Sequence, residues 1–216
     1  IAQPLIVAAG MLALEGLIDD RDRVRIGGTA GHSVGEVTAA VVAGILGEEE
    51  ALRFVKQRSV GMADAAKLHK TGMSAVIGGD EATLLARLEE LGLEPANFNG
   101  GGQLVVAGEL SALEKLSAEP PQGSRVIPLQ VAGAFHTHFM QPAIEPLHEV
   151  AASIWAADPI LPIWTNRNGD LIESGTTFVD LMVDQVSSPV RWDLTMASME
   201  KAGVTGLVEP FNRVNH

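Results

Sequence analysis

The chain has 216 residues, no cysteine and a formal net charge of −12 at pH 7. With 15 Lys and Arg against 27 Asp and Glu, it has little material for a nucleic-acid-binding face, and an anionic membrane surface would repel it. The lack of cysteine excludes disulfides, thiolate metal sites and a cysteine nucleophile, and no apolar run of the sequence is long enough to span a bilayer. These features fit a cytoplasmic globular protein that binds neither nucleic acid nor membrane.

The first third of the sequence predicts one helix, then a loop and a strand, and then two further helices. Pro4 suits the first turn of the first helix, and Gly44 and Gly47 are stop signals for the second. The predicted elements are a buried helix at 3–17, a polar loop at 19–23, a strand at 24–30, and helices at 36–45 and 50–66.

The pattern of predicted secondary structure changes near Gly72, where short strands begin to alternate with helices. Asp80 is a predicted helix N-cap, and Ser111 with Glu114 forms a predicted capping box. The predicted elements are strands at 73–77, 96–99, 103–107 and 125–131, and helices at 80–91 and 111–117. The order β-α-β-β-α-β predicts a ferredoxin-like domain over 72–131, inserted into a larger α/β domain.

The last third returns to longer helices. The first of them is expected to be broken early by Pro142 and Pro146. The predicted elements are a helix at 139–154, a strand at 161–165, a turn at 166–169, helices at 177–187 and 191–202, and a strand at 204–208.

Residues 31–35 read Gly-His-Ser-Val-Gly and match the pattern G-x-S-x-G between a predicted strand and a predicted helix. That setting is typical of a nucleophile elbow, in which Ser33 has a strained backbone and the flanking glycines leave room for closely packed chain. The turn would expose the hydroxyl at a helix N-terminus, where the Val34 N–H is the natural first oxyanion donor. The alternative is a plain glycine-rich turn.

A serine nucleophile needs a base, and the chain has six histidines. His136 follows an apolar stretch that ends at Phe135, and catalytic side chains gather at strand ends in α/β folds. The side chain of His32 is expected to point away from the neighbouring serine. His136 could instead be a packing residue. It could also form half of a metal site with His138, although no third ligand lies nearby in the sequence.

Arg58 is predicted to face the protein core. At about 100° per residue, it falls on the apolar arc of the helix at 50–66. The members of that arc are Ala51, Leu52, Phe54, Val55 and Met62. A guanidinium in that position needs an anion, because burying it unpaired costs several kcal/mol. One candidate is a substrate carboxylate held by the bidentate fork; the others are an internal carboxylate or a stem that reaches back to solvent.

Several motifs together resemble the successive signatures of malonyl-CoA:acyl carrier protein transacylases. The longest are Gly-His-Ser-Val-Gly-Glu at 31–36, Gly-Ala-Phe-His-Thr at 133–137 and Gln-Val-Ser-Ser-Pro-Val-Arg-Trp at 185–192. Shorter matches lie at 2–4, 72–76 and 97–100. The likeness runs through essentially the whole chain up to Glu209.

The resemblance implies Ser33 as the nucleophile, His136 as its base and Arg58 as the group that binds the malonyl carboxylate. It implies that the backbone carbonyl of Gln185 orients the imidazole where a hydrolase would use an aspartate. Phe135, just before the histidine, is similar to the malonyl-selective members of the family, because members that take methylmalonyl tend to carry serine there.

The resemblance also implies an architecture. An α/β-hydrolase-like large domain is expected over 1–71 and 132–216, with the ferredoxin-like small domain of 72–131 between the two parts. The family's N-terminal Gly-Gln-Gly loop, which supplies a second oxyanion amide, is missing from the start. A Gly-Pro-Gly-like loop, a strand and a helix are expected where 210–216 stand. The sequence is therefore expected to be truncated at both ends.

The function implied is transfer of malonyl from malonyl-CoA to the phosphopantetheine thiol of acyl carrier protein, through a malonyl-serine intermediate and with release of coenzyme A. It would serve fatty acid or polyketide synthesis, act as a monomer and need no metal or redox cofactor. A serine esterase or thioesterase of related fold is one alternative; it would need an Asp or Glu beside the histidine and would have no use for Arg58. An inactive fragment of the transferase is the other.

Overall fold

The computed structural model describes residues 2–17 and 26–209, in which helices accompany one mixed sheet. The helices are α1 (Ala2–Leu17), α2 (Gly35–Val42), α3 (Glu48–Ala66), α4 (Glu81–Leu91), α5 (Leu110–Ala118), α6 (Ile144–Ala152), α7 (Gly175–Asp184) and α8 (Trp192–Lys201). The strands are β1 (Thr71–Gly78), β2 (Glu94–Gly100), β3 (Gln103–Glu109), β4 (Ser124–Pro128) and β5 (Val190–Arg191). Two 3₁₀ segments, His138–Ala143 and Gln185–Ser187, precede α6 and follow α7.

The sheet has the strand order β4-β1-β3-β2-β5. β1 pairs antiparallel with β3 and β4, β2 pairs antiparallel with β3, and β5 is parallel to β2. The elements from β1 to β4 follow the predicted order β-α-β-β-α-β. Asp80 caps α4 as predicted, because its carboxylate accepts from the Thr83 N–H at 2.8 Å. The chain is thus an α/β protein with a mixed sheet.

The two faces of this sheet have different neighbours, since successive residues of a strand point to opposite sides. Leu104 and Val106 of β3 pack with leucines of α4 and α5. Val105 and Ala107 pack instead with Ala134, in the segment that leads to His136. The second face of the sheet therefore supports the histidine that the sequence singled out.

The larger core lies among α1, α2, α3, α6, α7 and the 3₁₀ segment before α6. α1 was predicted to be buried, but Leu5 and Leu12 are 64% and 68% exposed. Among the described residues, α1 packs along one face on α2 and α3; at Gly10, an added Cβ would lie 3.1 Å from Thr38 of α2. A continuous apolar sequence therefore overstated the burial of this helix.

Three predicted strands differ from the structure. Residues 24 and 25 of the first lie outside the described residues, as do the loop at 19–23 and the segment at 210–216. The described part of the strand at 24–30 and the strand at 161–165 are reduced to isolated bridges. Thr29 pairs in parallel with Ile163, and Trp164 pairs antiparallel with Leu171. The strand at 204–208 is wrong: this segment is irregular, and Val208 is 81% exposed, because no described strand pairs with it.

Two smaller expectations also fail. α5 begins at Leu110, so Ser111 lies inside the first turn, and no side chain caps this helix. The predicted capping box is therefore absent. β4 ends at Pro128 rather than at 131.

Candidate active site

The turn at 31–35 has the geometry of a nucleophile elbow. Ser33 has a φ of +53°, in the left-handed region that side chains rarely adopt, and it stands just before α2. Gly31 is packed as predicted, because an added Cβ would lie 2.0 Å from the carbonyl carbon of Gly35. The same expectation is wrong for Gly35, where an added Cβ would meet no described atom within 4 Å. Gly31 is thus the glycine that the close approach requires.

Ser33 and His136 are brought together although 103 positions separate them in sequence. The Ser33 Oγ lies 2.7 Å from His136 Nε2, which confirms the contact that the sequence analysis predicted. His136 has a φ of +63° and is 4% exposed. Two residues in the left-handed region therefore face each other, and such strain is commonly stored at functional sites.

The second ring nitrogen of His136 donates to a main-chain carbonyl. His136 Nδ1 lies 2.8 Å from the Gln185 carbonyl oxygen, and the His136 N–H donates to the Val186 oxygen at 3.2 Å. Because a carbonyl only accepts, the proton sits on Nδ1 and Nε2 is free to accept from Ser33. Within the described ranges no carboxylate contacts this ring, which agrees with the sequence-based expectation.

The environment keeps His136 neutral. Burial and, to a smaller extent, the positive charge of Arg58 lower the pKa of His136 to about 3, although the hydrogen bond to Gln185 opposes the shift. The imidazole is therefore uncharged at neutral pH and able to accept a proton.

Arg58 is buried in the core, 2% exposed, as the helical arc predicted. Of the apolar residues on that arc, Leu52 is the exception, since it is 39% exposed. Arg58 Nη2 lies 3.2 Å from the Ser33 Oγ and 3.0 Å from Gln185 Oε1, and Nη1 donates to Gln3 Oε1 at 2.5 Å. No carboxylate among residues 2–17 and 26–209 forms an ion pair with it, so its hydrogen bonds are all to neutral groups.

Three further residues at this site received no role from the sequence. Glu36 accepts from the Asn166 N–H at 2.6 Å and from Gln185 Nε2 at 2.5 Å. Asn166 in turn accepts from the Ser33 N–H at 2.7 Å and donates to the Gly31 carbonyl at 2.8 Å. Gln3 completes the surroundings of Arg58.

The charges of Glu36 and Arg58 influence each other without direct contact. Burial raises the pKa of Glu36 to about 8, and the Asn166 N–H and the Arg58 charge oppose that rise. Burial likewise lowers the pKa of Arg58 to about 10, opposed by the charge of Glu36. Arg58 is therefore still protonated at neutral pH.

The remaining candidates surround the pair. The Val34 N–H has no acceptor among the described residues, so it remains available next to the Ser33 hydroxyl. Phe135 is partly buried between the two cores. His32 turns to Asn99, with Nε2 2.9 Å from the amide oxygen, in agreement with the expectation that it faces away from the serine.

A metal centre finds no support in the part of the chain that the structure covers. No group of three or more His, Asp or Glu side chains there is placed to hold an ion. His138, the second half of the hypothetical metal pair, hydrogen-bonds to the Glu94 carboxylate instead.

None of the helices in these ranges has both the length and the apolar character that crossing a bilayer requires.

Comparison with known proteins places the chain in a family. The acyl transferase domain family matches residues 8–209. The malonyl CoA-acyl carrier protein transacylase of Mycobacterium tuberculosis H37Rv is 47% identical over 214 residues, which are 97% of this chain and 70% of that protein. Its counterpart in Mycolicibacterium smegmatis is 41% identical over 213 residues, 97% of this chain and 73% of that protein.

Solved structures agree with the sequence relatives. The crystal structure of MCAT from Mycobacterium tuberculosis superposes with a TM-score of 0.88 at 46% identity, covering 93% of this chain and 67% of that one. A malonyl-transacylase in complex with its type II PKS acyl-carrier protein superposes with a TM-score of 0.82 at 29% identity, covering 94% and 67%. With a family match over residues 8–209 and relatives at this identity, the chain belongs to the malonyl CoA-acyl carrier protein transacylases of the acyl transferase domain family.

Proposed function

We propose that this protein transfers a malonyl group from malonyl-CoA to the phosphopantetheine thiol of acyl carrier protein, through an ester on Ser33. The observation that carries the proposal is the position of Arg58. A buried guanidinium, hydrogen-bonded to neutral groups, lies 3.2 Å from the hydroxyl of an elbow serine. An acyl group that ends in a carboxylate would supply the anion that the described residues do not give to this charge.

In the first half-reaction, the Ser33 Oγ attacks the thioester carbonyl and gives its proton to His136 Nε2. The Gln185 carbonyl holds the Nδ1–H tautomer that makes this possible, at 2.8 Å. The Val34 N–H is the proposed donor to the oxyanion of the tetrahedral intermediate. When the intermediate collapses, the carbon–sulfur bond breaks and coenzyme A leaves with the proton from His136.

The second half-reaction reverses the roles with a different thiol. The phosphopantetheine thiol gives its proton to His136, and its sulfur attacks the ester carbonyl. Collapse of the second tetrahedral intermediate returns the proton to the Ser33 Oγ and leaves malonyl on the carrier protein. The chemistry uses only the residues of this chain and the two thiols, so it requires no metal or redox cofactor.

Selectivity for malonyl would come from two residues. Arg58 supplies the charge, and Phe135, just before the histidine and partly buried between the cores, is proposed to limit space beside the acyl chain. The hydrolytic alternative is less favoured, since His136 is oriented by a neutral carbonyl and Arg58 would have no partner in an ester that lacks a carboxylate.

We also propose the domain division that the sequence indicated. Residues 72–131 would form a ferredoxin-like domain inserted into an α/β-hydrolase-like domain of 1–71 and 132–216. The support is the strand order β4-β1-β3-β2, with α4 and α5 packed on one face of this part of the sheet.

The test is a transfer assay with purified protein, malonyl-CoA and a phosphopantetheinylated acyl carrier protein, read by the mass of the carrier. We expect malonyl on the carrier with the wild-type protein and none with Ser33→Ala. Release of free malonate without transfer would indicate the esterase or thioesterase alternative. A folded protein that consumes no malonyl-CoA would support the inactive alternative.

A further inference from the structure

Glu36 is a buried carboxyl group that the proposed reaction does not use. It lies in the first turn of α2, three positions after Ser33, and is 1% exposed. It hydrogen-bonds neither to the Ser33 hydroxyl nor to the His136 ring. Burying a carboxyl group is costly unless both oxygens find partners, so the contacts of this side chain indicate what it is for.

Both oxygens of Glu36 accept short hydrogen bonds, each from a residue that touches the reacting pair. Oε1 accepts from the Asn166 main-chain N–H at 2.6 Å, and Oε2 accepts from Gln185 Nε2 at 2.5 Å. One carboxyl group therefore ties α2 to two segments that are far from it in sequence, the turn at 166–169 and the 3₁₀ segment Gln185–Ser187.

The Asn166 branch fixes the elbow. Its side-chain oxygen accepts from the Ser33 N–H at 2.7 Å, and its amide nitrogen donates to the Gly31 carbonyl at 2.8 Å. Because Ser33 has a φ of +53°, its backbone would relax without such ties. Glu36 holds the main chain of Asn166, and Asn166 in turn holds the strained turn.

The Gln185 branch fixes both the base and the arginine. The side-chain oxygen of Gln185 accepts from Arg58 Nη2 at 3.0 Å, and its main-chain oxygen lies 2.8 Å from His136 Nδ1. Its amide nitrogen is surrounded by acceptors, of which Glu36 is the nearest. With an acceptor at one end and a cation at the other, the Gln185 amide has one favourable orientation.

We propose that Glu36 is a positioning residue for acyl transfer, which holds Ser33, His136 and Arg58 in register through Asn166 and Gln185. The proposal rests on the proposed function only for the identity of the acyl group. It makes Glu36 act through its neighbours rather than on the substrate.

The first test is Glu36→Gln, which keeps the size of the side chain but replaces one acceptor with an NH₂ donor. However the new amide turns, one of its two neighbours meets a donor where it now meets an acceptor. The reactivity of Ser33 is measured by the rate of labelling with an uncharged sulfonyl fluoride, which carries no carboxylate and therefore does not need Arg58 for binding. Transfer is measured as kcat and KM with malonyl-CoA.

We expect labelling and kcat, both per folded protein, to fall about 10- to 100-fold, since a displacement of about 1 Å in a reacting group has an effect of that size. Val37→Ala is the matched control: Val37 is the next residue of α2 and is 1% exposed in the core. It should lower thermal stability while leaving the labelling rate per folded protein within about 2-fold of wild type, because it removes packing and no hydrogen bond.

Glu36→Asp provides a second, independent test, because it keeps the carboxyl group but withdraws it by one methylene. We expect an intermediate loss of labelling, and this variant decides the matter if Glu36→Gln does not fold. Wild-type labelling in either folded variant would overturn the proposal, as would a loss in Val37→Ala equal to that in Glu36→Gln. If labelling depends on Glu36 but no variant or wild-type protein transfers malonyl, the proposed substrate is wrong and the positioning role stands.

Discussion

The charge of Arg58 acts on two parts of the site at once. It is proposed to bind the malonyl carboxylate, and it lowers the pKa of His136. A malonyl carboxylate on Arg58 would neutralise that charge and make the imidazole a better base. An acetyl group leaves the charge unopposed, so the same residue is expected both to bind malonyl and to disfavour acyl groups that lack a carboxylate.

Arg58→Ala should therefore separate the two substrates. A hydrogen bond to a charged group is worth about 1.5–3 kcal/mol, so we expect malonyl transfer to fall by at least about 10- to 150-fold. Acetyl transfer should hold steady or rise, because the unpaired guanidinium is gone. Arg58→Lys should recover only part of the malonyl activity, since a point charge cannot reproduce the bidentate fork.

Rates with malonyl-CoA and acetyl-CoA are to be measured on the same folded variants. Arg53→Ala is the matched control, because Arg53 also lies on α3 but is exposed and bonds to Ser153. It should change neither rate by more than about 2-fold. Equal losses of malonyl and acetyl transfer in Arg58→Ala would make Arg58 a structural residue.

His136 should remain neutral far below the pH at which an unperturbed histidine titrates. Its pKa is lowered to about 3, first by burial and then by Arg58. The ring ¹⁵N shifts should stay those of the Nδ1–H tautomer down to about one pH unit above that value, with the signals assigned by their loss in His136→Asn. A titration near pH 6.5 would contradict the buried, Arg58-facing environment.

The burial of a single side chain could be predicted from the sequence where the helical period shows which face of the helix the residue lies on. Arg58 could be placed in the core because its apolar neighbours recur along α3. The same argument was available for Glu36, since Ala39, Ala40 and Ala43 follow it at helical spacing and are all buried. Asn166 offered no such signal, because it lies in a turn whose contacts depend on how distant segments meet.

The nucleophile elbow requires the close approach of Gly31 to the Gly35 backbone. Its two glycines should therefore respond differently to substitution. Gly31→Ala would drive a Cβ to within 2.0 Å of the Gly35 backbone, which cannot move aside as a side chain could. We expect it to lower the free energy of unfolding by at least about 3 kcal/mol and to abolish activity. Gly35→Ala should be neutral or stabilise α2 by about 0.5–1 kcal/mol.

Urea unfolding and Ser33 labelling of both variants measure this difference. A Gly31→Ala protein as stable and reactive as wild type would show that the turn does not need the close approach. An equally large loss in Gly35→Ala would show that the motif requires both glycines for a reason other than space.

The elements between residues 71 and 128 were predictable because their signals are local. The alternation of short strands with helices and the Asp80 cap are signals that depend on neighbouring residues of the sequence. The strands at 24–30 and 161–165 were not, because a strand also needs a partner. Among the described residues the two segments pair with each other at the single Thr29–Ile163 bridge. The segment at 204–208 shows the same limit, since its composition suits a strand but no described strand lies beside it.

The site should also give the whole molecule a particular dependence of stability on pH. Between about pH 3 and 6.5 the unfolded chain binds a proton that native His136 does not, so the free energy of unfolding rises with pH. Between about pH 4.5 and 8 native Glu36 holds a proton that the unfolded chain has lost, so its contribution falls as pH rises.

Glu36→Gln should remove the second effect alone. Denaturation with urea between pH 6.5 and 8 should show the wild-type free energy of unfolding falling with pH more steeply than that of the variant. The difference between the two proteins should therefore change across this range. Parallel curves would mean that the pKa of Glu36 is not raised by its burial.

The most direct test of the central claim is to trap the acyl-enzyme. Protein mixed with malonyl-CoA in the absence of carrier protein, quenched in acid and digested, is analysed by mass spectrometry. We predict one malonyl group on the peptide that contains Ser33, its disappearance when carrier protein is added, and no label in Ser33→Ala. Malonyl on another residue, or an unmodified Ser33 in a protein that still transfers malonyl, would contradict the account.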